Sequence, residues 1–219
     1  AECVPCVIVP SARPGATYTC TSPENSHVSE CDAGYYRTAG ATDVDATKNV
    51  AAGKAVSQSS TAWGGNAESA VDGNRDGDYN FRIVDGIMYG ACTHTANGGT
   101  EWWQVDLGMP LAIDQVHLYH RTECQSCQDR ALGSTIYVSD TTDYASGALC
   151  GEVIGYTVVS DGTDGTPLEH RSAIECQHAV GQYVTAVRSD QSVQSTVAFC
   201  ELEVYSSPNE CADAHSEST

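Results

Sequence analysis

The segment that decides the fold begins Cys92-Thr93-His94, runs through Trp102-Trp103-Gln104-Val105-Asp106-Leu107 and Val116-His117-Leu118-Tyr119, and ends Arg121-Thr122-Glu123-Cys124-Gln125-Ser126-Cys127-Gln128-Asp129-Arg130. Trp103, Val105 and Leu107 alternate with Gln104 and Asp106; Val116 and Leu118 alternate with His117 and Tyr119. Successive side chains of a strand point to opposite faces, so this pattern buries one face and leaves the other to polar groups. The same period returns in Ile136-Tyr137-Val138 and in Cys200-Glu201-Leu202-Glu203-Val204-Tyr205. From Asn49 onward such runs are short and separated by turn residues, and no long amphipathic helix is legible. The expectation is an all-β fold, an antiparallel sandwich with one buried face per strand.

The two ends of the segment carry a different chemistry. Arg121 and Arg130 offer planar forks of N–H donors, which suit hydroxyl oxygens. His94 either donates or accepts, according to its tautomer. Cys124 and Cys127 supply an apolar ring between the arginines, suited to the hydrophobic face of a sugar. No nucleophile stands beside a base here, so the residues point to binding a small neutral polyol and not to catalysis.

These residues resemble the sugar-binding segment of the F-type lectins (fucolectins), whose fold is a jelly-roll β-sandwich. In that family a histidine is followed by twenty-six residues, then Arg-X-Asp and a second basic residue. Here twenty-six residues separate His94 from Arg121, Glu123 stands at the aspartate position, and Arg130 comes two positions later than the usual second basic residue. The likeness runs from about Asn49 to Tyr205 and includes Ala70-Val71-Asp72-Gly73-Asn74 and Trp102-Trp103-Gln104-Val105-Asp106-Leu107. It implies that His94, Arg121 and Arg130 hydrogen-bond a fucose-like sugar. It also implies that Glu123 orients Arg121 and that Cys124 and Cys127 bond to each other beside the sugar. Phe81 and Trp63 are candidates to receive the methyl group of a 6-deoxy sugar, with ordinary edge packing the alternative for Trp63. The pairings it implies elsewhere are Cys92 with Cys200 and Cys150 with Cys176.

The resemblance further implies a structural calcium held by the side chains of Asp72 and Glu201 and by main-chain oxygens at Ser69, Asn74, Ala91 and Cys200. Asp and Asn on a bend at Gly73 are the oxygen donors calcium takes. The loop is not an EF-hand, since the twelve-residue spacing and its terminal Glu are missing. Read without the family, it is a solvated turn. Between Asn74 and Cys92 lies an apolar loop with Tyr79, Phe81, Ile83, Ile87, Met88 and Tyr89, longer than the family's, which either tucks over the sandwich or forms a contact surface.

Composition sets the surroundings. The chain has 219 residues, eleven cysteines and a formal net charge of −19. That charge argues against nucleic acid and anionic membranes, which need basic patches, and suits an oxygen-ligated cation. No apolar run approaches the roughly 20 residues of a membrane span, so no membrane insertion is expected. So many cysteines indicate a disulfide-bonded extracellular protein, secreted or surface-associated. The start at Ala1 fits a processed chain or a fragment.

Residues 1–45 read as a separate disulfide-stapled module. Cys3, Cys6, Cys20 and Cys31 lie among Pro, Ser, Thr and Gly with little apolar period, a stretch that resembles EGF-like or TNF-receptor-like repeats. Four cysteines allow three connectivities, and sequence does not choose among them. A small-residue linker spans 38–48. The lectin-like domain covers 46–206 and a polar tail 207–219, in which Cys211 is left over after the family pairings. The leading functional expectation is a secreted, calcium-stabilised lectin for fucosylated glycans, not an enzyme. The alternative is a structural subunit of an extracellular filament, matrix or coat, in which the odd cysteine, the acidic surface and the apolar loop serve assembly into a homo-oligomer or homopolymer.

Overall fold

The computed structural model describes residues 17–19, 27–30, 35–37, 48–80, 82–161, 168–189, 196–206 and 211–213. In chain order the strands are β1 (Thr17–Thr19), β2 (His27–Glu30), β3 (Tyr35–Arg37), β4 (Ala55–Gln58), β5 (Arg82–Val84) and β6 (Ile87–Tyr89). They continue as β7 (Glu101–Tyr119), β8 (Thr135–Ser139), β9 (Ala148–Glu152), β10 (Thr157–Asp161), β11 (Leu168–Arg188), β12 (Glu201–Ser206) and β13 (Cys211–Asp213). A short helix, α1 (Gln125–Gln128), follows β7.

β7 and β11 run antiparallel along almost their whole length and together make the spine. Near its middle β7 turns at Gly108, whose positive φ of 87° a glycine adopts without strain. Opposite, the register of β11 shifts between Glu175 and Ala179 and again between Gly181 and Tyr183. Each long strand therefore serves two layers. The first half of β7 pairs with β4 and with the last part of β11, which pairs with β8, and β8 with β9. The second half of β7 pairs with β12 and with the first part of β11, which pairs with β10. The apolar faces of both layers meet in one core containing Trp103, Val105, Leu107, Val116, Leu118, Ile136, Val138, Phe199, Leu202 and Val204. This is the jelly-roll sandwich the alternation and the resemblance predict. Three disulfides close it, Cys92–Cys200, Cys124–Cys127 and Cys150–Cys176. No described helix is long and apolar enough to cross a membrane.

Trp102 is only partly buried, lying on the face of β7 opposite Trp103 as alternation requires. One detail departs from simple alternation. On β12 the supposedly outward Glu201 and Glu203 are 0% and 4% exposed. Arg75 reaches over to pair with Glu203 at 2.6 Å and stacks on the Tyr119 ring, while the Tyr205 hydroxyl donates to Glu203 at 2.7 Å. A carboxylate so paired and hydrogen-bonded tolerates burial.

Most of residues 1–45, including Cys3, Cys6, Cys20 and Cys31, lies outside the described residues, and the EGF-like or TNF-receptor-like likeness with it. Within that stretch β1 and β2 pair. β13, inside the stretch read as a polar tail, pairs antiparallel with β3, placing Cys211 opposite Arg37.

Candidate functional site

His94 sits in an extended stretch gripped from both sides. Its N–H donates to Gly65 O at 3.0 Å and its carbonyl accepts from Ala62 N; Thr93 N and Thr95 N donate to Phe199 O and Val197 O. The Cys92–Cys200 bond fixes the entry to this stretch. A side chain at Gly65 would meet His94 Cβ at 2.5 Å, so only glycine permits this approach.

Arg121 leaves the end of β7, where Thr122 N donates to Gly77 O at 2.8 Å. Its side chain is 8% exposed, and Nη2 is paired with Glu123 Oε1. The guanidinium lies over the Tyr79 ring, 4.1 Å from the centroid. Its Nε is buried and has no hydrogen-bond partner among the described residues. Arg130 belongs to a single 3-10 turn after α1 (Asp129–Ala131), and its carbonyl accepts from Arg188 Nη1 at 2.7 Å. The longer spacing to Arg130 does not carry it away. α1 coils the extra residues, at about 1.5 Å of rise each, and the Cys124–Cys127 bond closes that turn.

The outcome is a direct contact: Arg130 Nη1 donates to His94 Nε2 at 2.6 Å. Arginine only donates, so Nε2 is the acceptor and Nδ1 carries the proton, which it gives to Thr95 O at 2.7 Å. Burial, with the Arg130 and Arg121 charges adding to it, lowers the His94 pKa to about 4. The imidazole is therefore neutral near pH 7. Burial and then the Arg121 charge lower the Arg130 pKa. A chain of net charge −19 thus holds two cations and a neutral imidazole together, with Glu123 beside Arg121. Cys127 is buried and Cys124 exposed, so the disulfide shows one end at the surface. Trp63 is 68% exposed with a left-handed φ of 54°. Phe81 lies outside the described residues.

Tyr79 and Gly65 were not singled out by the sequence as site residues. Both lie in loops, where no period marks them. Their signal was local: an Asp/Asn at every second position from Asp72 to Asn80 around Tyr79, and the Gly64-Gly65 pair.

The expected cation ligands gather on one side of the same loops. Ser69, Asp72, Asn74 and Ala91 line one cleft, together with Asn66 and Asp76. Gly73 N donates to Glu201 Oε1 at 3.2 Å, which sets Glu201 beneath that loop, and Cys200 immediately precedes β12. Glu201 Oε2 is buried with no hydrogen-bond partner among the described residues. Burial, and then the Asp72 charge, push its carboxyl up to about 8. An orphaned, fully buried carboxylate oxygen beside a second carboxylate is a donor set that fits a hard divalent cation. Among the described residues no three His, Cys, Asp or Glu side chains come together as a metal site.

The fold is a galactose-binding-like β-sandwich with His94, Arg121 and Arg130 clustered at its loops. The chain belongs to the NedA-like, galactose-binding domain family of the F5/F8 type C group, whose family model matches residues 69–186. Within it the chain is similar to fucolectins. It is 35% identical over 101 residues to Fucolectin-5 of Anguilla japonica (44% of this chain, 48% of that protein). It is 30% identical over 137 residues to Fucolectin-1 of the same species (62% and 65%). The matched stretch thus spans about half to two thirds of these relatives. Among solved structures, the lectin domain of lectinolysin complexed with Lewis B antigen is 28% identical with a TM-score of 0.55, covering 74% of this chain and 98% of that one. A fucolectin from striped bass (Morone saxatilis) serum shares the fold, with a TM-score of 0.59 at 24% identity, over 75% of this chain and 49% of that one.

Proposed function

We propose that this chain is a secreted lectin that binds terminal fucose-like sugars on glycans, with calcium as a structural cation. The observation that carries the reading is the cluster in which Arg130, His94 and Arg121 stand together despite the altered spacing. The fucolectin compared above is similar over 62% of this chain and the Lewis B-bound lectin domain over 74% of it. The chemistry is that of holding a neutral ring. The guanidinium N–H groups of Arg121 and Arg130 donate to hydroxyl and ring oxygens. His94, fixed by Thr95 as the Nδ1–H tautomer, accepts from an axial hydroxyl through Nε2 when Arg130 turns to the sugar. The Cys124–Cys127 ring and Trp63 offer apolar surface to the C6 methyl. Asp72 and Glu201, with main-chain oxygens at Ser69, Asn74, Ala91 and Cys200, would hold the calcium, which supplies positive charge against Glu201 and ties the Asp72 loop to β12.

A glycan array read with calcium and with chelator tests this reading. Signal confined to fucosylated glycans is expected, and no binding to any of them in calcium buffer contradicts it.

A further inference from the structure

Arg121 has a long flexible stem, and its ion pair with Glu123 constrains one edge of the guanidinium only. Glu123 is itself one-quarter exposed, and such a pair is weakened by solvent. What fixes the plane is the Tyr79 ring against its face, 4.1 Å away. Tyr79 is in turn held at every point. Its hydroxyl donates to Trp63 O at 2.9 Å and its carbonyl accepts from Ala91 N at 2.9 Å. A side chain at Gly90 would overlap its ring, so that wall is close-packed. Burial raises its pKa, which keeps the donating proton in place.

The stretch that presents Tyr79 is built by its own side chains. Asn74 N donates to Asp72 Oδ1, Asp76 N to Asn74 Oδ1, Asp78 N to Asp76 Oδ1 and Asn80 N to Asp78 Oδ1, at 2.8 to 3.2 Å. These four successive Asx turns rigidify a loop with no strand partner of its own. Gly77, midway, lies too close to Thr122 for any side chain, which locks the loop to the residue after Arg121.

We propose that Tyr79 is the positioning residue of the sugar site: its ring sets the plane of the Arg121 guanidinium, and the Asx ladder of residues 72–80 holds the ring. The proposal rests on the sugar-binding reading, and its test separates the two. L-Fucose is titrated into the wild-type chain, Tyr79→Phe and Tyr79→Leu, with thermal melts of each. The Arg121 Nε–H resonance, identified by its loss in Arg121→Lys, is followed in parallel. Tyr79→Phe keeps the ring and retains affinity within about twofold, whereas Tyr79→Leu weakens it on the order of tenfold. The Nε–H signal stays protected from exchange in wild type and Tyr79→Phe and is lost in Tyr79→Leu. Wild-type affinity with a protected signal in Tyr79→Leu overturns the proposal. So does a loss in Tyr79→Phe, which also decides the matter if the leucine variant does not fold. If the wild-type chain binds no fucose, the lectin reading fails, and the resonance still shows whether Tyr79 holds Arg121.

Discussion

Arg121, Arg130 and His94 make separable demands on the site. Arg121→Ala removes a buried charged donor with an unpaired Nε, and a charged hydrogen bond contributes about 1.5–3 kcal/mol. Sugar affinity is therefore expected to fall by about ten- to a hundredfold, measured by titration; a change of less than about twofold contradicts the assignment. Arg130→Ala is expected to weaken binding as well and to free His94 Nε2. Acid should act through the histidines. His94 and His120 are 3% and 0% exposed, and burial lowers both pKa values to about 4. The unfolded chain takes up these protons near pH 6.5, whereas the folded chain does so only near 4. Stability is full above about pH 6.5 and drops as pH falls toward 4, by at most about 3 kcal/mol for each histidine. Melting temperature against pH tests this: it should decline between those limits, with a smaller slope in His94→Gln. A flat profile contradicts it.

At the scale of elements, the strands were legible because a half-buried strand must alternate. Trp103-Val105-Leu107 and Leu202-Val204 announced their faces, and the resemblance supplied the three disulfides of the sandwich. The burial of Glu201 and Glu203 was not legible. It depends on what a distant loop brings over β12, Arg75 in one case and the Asp72–Gly73 turn in the other. The Arg130–His94 contact was equally hidden, because spacing counts residues and not the coil of α1 that shortens their path. The Asp72 loop invites a direct test. A cation that binds only the folded state stabilises it by about 2.7 kcal/mol at a hundred times its dissociation constant. Chelator should lower the wild-type melting temperature. Glu201→Gln should melt at nearly one temperature with or without calcium. An equal calcium effect in both would place the cation elsewhere.

Across the whole molecule β3, ahead of the sandwich, pairs with β13, which follows it, and composition alone did not reveal this. The small-residue run at 38–48 predicts that protease nicks the chain between Thr38 and Thr47. The β3–β13 pairing predicts that both fragments still elute together under native conditions. Fragments that separate without denaturant would show the pairing does not hold the ends. The six cysteines from Cys92 to Cys200 bond among themselves, so peptide mapping should find Cys211 linked to none of them. A single site for a monosaccharide is expected to be weak, since a millimolar constant corresponds to only about 4 kcal/mol. Useful strength on a glycan-bearing surface then comes from several sites acting together. The central claim is that His94, Arg121 and Arg130 form one sugar site, and calorimetric titration of L-fucose into the calcium-loaded chain and its Arg121→Ala variant tests it most directly. Saturable binding near the millimolar range that disappears in the variant is the predicted result; absence of binding in the wild-type chain, or equal binding in both, would contradict it.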